Sequence, residues 1–128
     1  MHINLETPEQ HAIQAYSDNQ IQINSMVYDH NLIVSRQEII IETKPQNINE
    51  IDEAYIKLLL KHKPDIIIIG HPDDTLLPPI KLIAELSQRG IGIEFMTIGA
   101  ACRTYNVLLS DLRSVVLGIL LKQYTSRH

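Results

Sequence analysis

The run Asp65-Ile66-Ile67-Ile68-Ile69-Gly70 constrains the fold of this chain more than any other segment. Consecutive β-branched residues with no polar face read as a strand buried on both sides, the pattern of a parallel sheet covered by helices. Pro64 stops whatever precedes the run, because the residue before a proline is pushed out of the helical region. The flanking segments should therefore be crossover helices.

The sequence around the run agrees. Asn49 is expected to cap a helix that places Ile51, Tyr55, Leu58 and Leu59 on one face and ends at Pro64. Glu50, Asp52 and Glu53 lie at its positive end, with Lys57, Lys61 and Lys63 toward its negative end, as the helix dipole favours. Pro79 starts a second helix over Ile80–Arg89, and Gly90 supplies a left-handed stop. Ile91–Thr97 reads as the next strand. Gly99–Leu109 reads as a third helix, with Ala101, Tyr105, Leu108 and Leu112 stacked on one side. Ser114–Leu121 is a strand or short helix, and Val115, Val116 and Ile119 favour strand.

Before residue 47 the pattern is different. Ala12–Tyr16, Gln20–Asn24, Met26–Tyr28, Leu32–Ser35 and Ile39–Glu42 are short and alternating, separated by turn formers such as Ser17-Asp18-Asn19 and Asp29-His30-Asn31. This half is expected to be an antiparallel meander. The chain is then α/β: amino-terminal antiparallel strands followed by a β-α-β-α-β unit.

Size and composition limit the rest. With 128 residues the chain makes one domain, placed at 1–128, without room for two cores. Phe occurs once and Trp never, which leaves few stacking platforms for single-stranded nucleic acid. The net charge of −4 divides unevenly: residues 1–56 carry two basic and nine acidic side chains, and 57–128 carry nine basic and six acidic. Neither half has a basic block that would track a phosphate backbone, so no nucleic-acid partner is expected. A lone Cys102 excludes an intramolecular disulfide and suits a reducing compartment. Met1–Glu9 is polar and acidic, unlike a signal or transit peptide. The longest apolar run, Val115–Leu121, falls far short of the ~20 residues of a membrane span. A soluble, cytoplasmic protein is expected.

The segment from Gly90 to Leu108, Gly-Ile-Gly-Ile-Glu-Phe-Met-Thr-Ile-Gly-Ala-Ala-Cys-Arg-Thr-Tyr-Asn-Val-Leu, resembles the signature of a small family containing mitochondrial complex I assembly factor 3 and uncharacterised bacterial proteins. Leu32-Ile33-Val34-Ser35, Pro64–Gly70 and Pro78-Pro79 also fit, and the resemblance covers nearly the whole chain. Ala100–Asn106 is its most specific part. The resemblance implies a three-layer α/β domain with a mixed central sheet. It implies a partner-binding assembly factor for the respiratory NADH–ubiquinone oxidoreductase, with no enzymatic activity or cofactor established. This chain departs from the family at Thr97-Ile98 (commonly Asp-Thr), at Gly70-His71-Pro72 (usually Gly-Thr-Gly) and at Asp111-Leu112-Arg113 (an acidic-Gly-Arg run).

Ligands of open α/β sheets bind outside the carboxyl ends of the strands. Here the loops Gly70–Pro78 and Thr97–Ala100 leave the same edge, and they nominate a crevice of His71, Asp73, Asp74, Thr97, Gly99, Arg103 and Asn106. Gly99-Ala100 with Arg103 and Asn106 would offer helix-terminal amides, a guanidinium and a carboxamide to a phosphate or carboxylate. Structurally, Arg103 could instead pair with Glu94 or Asp73. His71-Pro72-Asp73-Asp74 resembles the metal-binding start of zinc-dependent sugar de-N-acetylases, but the later His-x-x-His pair is missing and a turn is the better reading, so no metal is expected. Cys102 at a helix start beside Arg103 could be a thiolate, although a buried core cysteine fits better. Acidic and basic surface clusters read as solvated faces. No complete catalytic set appears. A non-catalytic protein-binding module is favoured over a small-ligand enzyme or sensor, and a homodimer paired through a strand edge is a third possibility.

Overall fold

In the computed structural model, the described residues are 11–42, 44–72 and 76–122. The chain forms β1 (Ile13–Tyr16), β2 (Ile21–Ile23), β3 (Met26–Tyr28), β4 (Leu32–Ser35) and β5 (Ile39–Ile41). A 3₁₀ turn at Ile48–Glu50 leads to α1 (Glu53–Leu59). Then follow β6 (Ile66–His71), α2 (Ile80–Gln88), β7 (Gly92–Thr97), α3 (Ile98–Ser110) and β8 (Val115–Ile119). A five-stranded sheet has the order β5-β4-β8-β6-β7, and a separate three-stranded sheet has the order β1-β2-β3.

Strand β6 is the isoleucine run, and it lies in the middle of the parallel trio, paired with β8 on one side and β7 on the other. Its side chains alternate between two cores. Ile67 and Ile69 pack with Tyr55, Leu59, Leu86 and Ile93 beneath α1 and α2, while Ile68 packs with Ala101, Cys102, Tyr105 and Leu109 beneath α3. The helices lie on opposite faces because of the strand order. The chain steps from β6 to β7 in one direction and from β7 back across β6 to β8 in the other. Two crossovers of the same hand that move in opposite directions must cover opposite faces. The result is a mixed sheet between two layers: α1 and α2 on one side, α3 and the small sheet on the other.

Four local readings are corrected. The expected meander divides after β3: β1–β3 form the small sheet, whereas β4 and β5 join the central sheet, β4 pairing antiparallel with β8. Short strands carry no signal for which sheet they enter. Asn49 does not cap a helix; Asn47 caps the 3₁₀ turn, and Asp52 caps α1 by accepting from the Tyr55 amide. α1 stops at Leu59, short of Pro64, and Lys63 adopts a φ of 53° in the turn that follows. Leu112 is not in the buried stripe of α3: the helix ends at Ser110, and Leu112 sits in the following turn at φ 61° and 78% exposed. Leu109 takes the core position instead.

Two close approaches require glycine. At Gly70 on β6 a Cβ would stand 2.8 Å from the Ala101 methyl, so the absence of a side chain is what lets α3 settle onto the sheet. At Gly118 on β8 a Cβ would collide with the Tyr55 hydroxyl. That hydroxyl is fully buried, has no hydrogen-bond partner among the described residues, and is held protonated by burial. Polar ties complete the assembly. Asn31 donates to the Pro45 carbonyl at 2.6 Å and accepts from the Leu121 amide at 2.7 Å, joining β4 to the chain after β5 and to the end of β8. Glu38 in the β4–β5 turn pairs with Lys61 at 2.8 Å and His62 at 2.5 Å, just beyond α1, and these two hold its carboxyl below the usual range.

Gly118→Ala is expected to destabilise the protein by about 1–3 kcal/mol through overpacking. Tyr55→Phe removes an unsatisfied buried hydroxyl and is expected to be neutral or stabilising by about 1 kcal/mol. In the Tyr55→Phe background the cost of Gly118→Ala should shrink. Urea unfolding of the two single variants and the double variant checks this, and strictly additive effects would contradict the contact.

Candidate functional site

The carboxyl edge of the parallel strands is built by β6 and β7, whose last residues, His71 and Thr97, are register partners. From this point the two connections diverge, one to α2 above the sheet and one to α3 below it, which makes the edge a topological switch point. Thr97 is exposed and takes the cap position of α3 in an extended conformation, without a side-chain capping bond. His71 is half-buried, and its Nδ1 donates to the Pro72 carbonyl at 2.9 Å. Gly99 lies in the first turn of α3. Asp73 and Asp74 lie outside the described residues.

Arg103 and Asn106 lie farther along α3, where they meet the small sheet. Arg103 is exposed, and its Nη1 donates to the Tyr16 hydroxyl at the end of β1, 2.6 Å away, rather than to Glu94; the other anticipated acid, Asp73, lies outside the described residues. Asn106 behaves like a length of strand edge. Its Oδ1 accepts from the Ile13 amide at 2.8 Å, and its Nδ2 donates to the Ile13 carbonyl at 2.9 Å. Beside it the buried Tyr105 hydroxyl donates to the His11 carbonyl at 3.1 Å. The segment Arg103–Asn106 thus fastens the amino-terminal sheet to α3. The partners Tyr16, Ile13 and His11 were not nominated from the sequence. Their contacts run through backbone groups and one terminal hydroxyl across more than 80 residues, and no local pattern marks such contacts.

Cys102 is buried in the core beneath α3, as the favoured reading expected. Burial pushes its thiol up to about 12, and the neighbouring Arg103 offsets only part of that effect. Burial of this kind disfavours the thiolate, the form in which a cysteine attacks or binds a metal.

A second concave feature lies on the opposite helical layer. Between α1 and α2 runs a groove of about 540 Å³, floored by apolar side chains including Ile56, Leu60, Leu82 and Leu86. Asp52, Glu53, Lys57, Glu85 and Arg89 stand along its rim. No candidate site residue lies in it.

These features define a three-layer α/β domain of mixed sheet, with an open strand edge and no assembled reactive group among the described residues. Residues 13–120 match the family described as protein of unknown function (DUF498/DUF598), and the chain belongs to that family. It is 34% identical over 94 residues, 73% of this chain and 76% of the relative, to a Francisella tularensis protein named 13 kDa major membrane protein. Among solved structures it is similar to a Xanthomonas campestris protein at TM-score 0.76 and 29% identity, with each chain covered in full. A Bordetella pertussis protein described as an Mth938-like domain shares the fold at TM-score 0.76 and 18% identity, again with both chains fully covered. Among the described residues of this chain, no helix is long and apolar enough to cross a membrane.

The position of Cys102 has a measurable consequence. In the native protein at pH 8 the thiol is expected to react with a disulfide reagent at least about a hundredfold more slowly than in urea, since attack requires the exposed thiolate. Comparable rates in the two states would place the thiol at the surface.

Proposed function

We propose that this protein is a non-catalytic protein-binding module, by resemblance an assembly or adaptor factor for a respiratory, complex I-like, or other membrane-associated complex, working from the cytoplasmic side. The observation behind this reading is the employment of the reactive-looking side chains in the fold itself. Arg103 holds Tyr16, Asn106 holds both polar groups of Ile13, and Cys102 is kept buried and protonated. The name of the Francisella relative supports the membrane association. The exposed Tyr16–Arg103 junction between the small sheet and α3 offers a surface on which an aromatic ring and a guanidinium lie together, the pair of residue types most enriched where partners bind.

Affinity capture of the tagged full chain from its native organism, quantified by mass spectrometry, tests the reading against Arg103→Glu. Stoichiometric recovery of a partner that the variant loses is the expected result. A partner retained by the variant would move the interface away from the junction, and recovery of none would remove the main support for an adaptor.

One observation favours a second reading, a small anionic ligand at the strand edge. The pairing of His71 with Thr97 brings a histidine, an exposed hydroxyl and the first turn of α3 to a single switch point. A thermal-shift panel of anions, nucleotides and Zn²⁺ tests it. A specific ligand at a hundred times its dissociation constant adds about 2.7 kcal/mol of stability, and no shift with any of them would count against this reading.

A further inference from the structure

We propose that the open edge of β7 pairs with the β7 edge of a second copy, antiparallel about a two-fold axis normal to the sheet, so that the two central sheets join into one. This inference stands apart from the adaptor reading, which concerns the Tyr16–Arg103 junction.

The first support is the backbone. β7 is the last strand of the central sheet, with β6 on one side only. The Gly92 amide donates to the Asp65 carbonyl. The peptide groups of Gly92, Glu94 and Met96 therefore face β6, and those of Ile93, Phe95 and Thr97 face outward. The outward amides of these three residues meet no acceptor among the described residues. β7 is six residues long and carries a single charge, Glu94. At the other end of the sheet β5 is three residues long, with Glu38 and Glu42 flanking it. Short strands and edge charges discourage edge-to-edge pairing, so β5 is the guarded edge and β7 the open one.

The second support is the chemistry beside the strand, which selects the occupant. α1 packs on β8 and α2 on β7, so the flank of α2 turned away from α1 borders the open edge. Leu82, Glu85, Leu86 and Arg89 line the groove toward α1. Helical spacing puts Ile80, Ile83, Ala84 and Ser87 on the opposite flank. There Ile80 is 76% exposed, and Ala84 and Ser87 are exposed as well. On the other face of the sheet Arg103 and Asn106 turn toward β1. Ala100, Thr104 and Leu108 form the stripe of α3 on the flank away from β1. Neither flank contains a charged residue, although α2 itself carries Lys81 and Glu85.

A two-fold axis normal to the sheet keeps each helical layer on its own face. The α2 flank then meets the α2 flank of the second copy, and the α3 flank meets its α3 flank. Self-contact of this kind opposes like charges wherever the patch carries one, and these flanks carry none. An extended peptide would satisfy the strand edge but leave both flanks uncovered. A second copy covers all three layers. Glu94 sets the register. An axis through Phe95 makes Phe95 its own partner and places Ile93 opposite Thr97, and Glu94 opposite Met96, of the second copy. An axis through Glu94 would set two carboxylates directly opposite each other.

Sedimentation equilibrium of the full chain over a range of concentrations tests the proposal, with circular dichroism confirming the fold of each variant. The wild type is expected to dimerise. Thr97→Pro should raise the dissociation constant by roughly tenfold or more, because it removes an edge amide and enters the interface twice. The fold accommodates this change: Thr97 is exposed with a φ of −62°, close to the angle proline fixes, and Pro79 already caps α2. Ile80→Glu should also weaken the dimer, and an acid in the first turn of α2 suits the helix dipole, so this variant decides should Thr97→Pro not fold. Glu85→Lys, on the groove side of α2, should leave the constant unchanged. A wild type that is monomeric at every concentration overturns the proposal, as does a dimer that Thr97→Pro leaves intact. A dimer weakened by Glu85→Lys would place the contact in the groove and overturn it too.

Discussion

The rest of this structure depends on burying β6 on both faces. Ile67 and Ile69 point toward α1 and α2, and Ile68 points toward α3, so neither helical layer can be removed without exposing part of the same strand to water. Full burial of one such side chain contributes about 1.5–3 kcal/mol. Two cores that share one strand are coupled through it. The helices can approach closely only because Gly70 faces Ala101 and Gly118 faces Tyr55. The buried Tyr55 hydroxyl is a cost accepted at one of these contacts.

From that strand the placement of everything else follows. β7 and β8 flank β6, so the two crossovers step in opposite directions and one helix must lie on each face. α3 then covers only part of its face, and the small sheet β1–β3 covers the remainder, with Ile21 and Ile23 fully buried against the layer below. The small sheet is held there by Asn106, Tyr105 and Arg103 on α3. The stretch Arg103–Asn106 is in this way an anchoring device. On the far side, α1 and α2 are short helices of seven and nine residues, and the groove between them stays open.

The strands, the glycine stop and the parallel trio were legible because each rests on local chemistry. β-branched runs, period-two alternation and the left-handed tolerance of Gly90, with its φ of 77°, all act within a few residues. The errors share a different cause. Choosing between Asn47, Asn49 and Asp52 as caps depends on where the chain first meets the sheet, since asparagine and aspartate cap about equally well. Leu112 has the right helical spacing but falls two residues beyond the end of α3. Of the candidate crevice, His71 and Thr97 are joined by strand register, whereas Gly99 stands against the Tyr16 ring and the Arg103 guanidinium. Arg103 and Asn106 are turned toward β1 by partners that are distant in the sequence.

The sequence by itself determined that this chain is one α/β domain with a doubly buried parallel strand, crossover helices and antiparallel strands before them. These follow from side-chain branching, apolar periodicity and turn chemistry, which operate over a handful of neighbours. Only the tertiary structure decided that the amino-terminal strands divide between two sheets, that Asn106 completes β1, and that an open groove separates α1 from α2. Those features arise from contacts between residues far apart in the chain, where a short strand or a polar side chain has several energetically similar partners and only the packed whole selects among them.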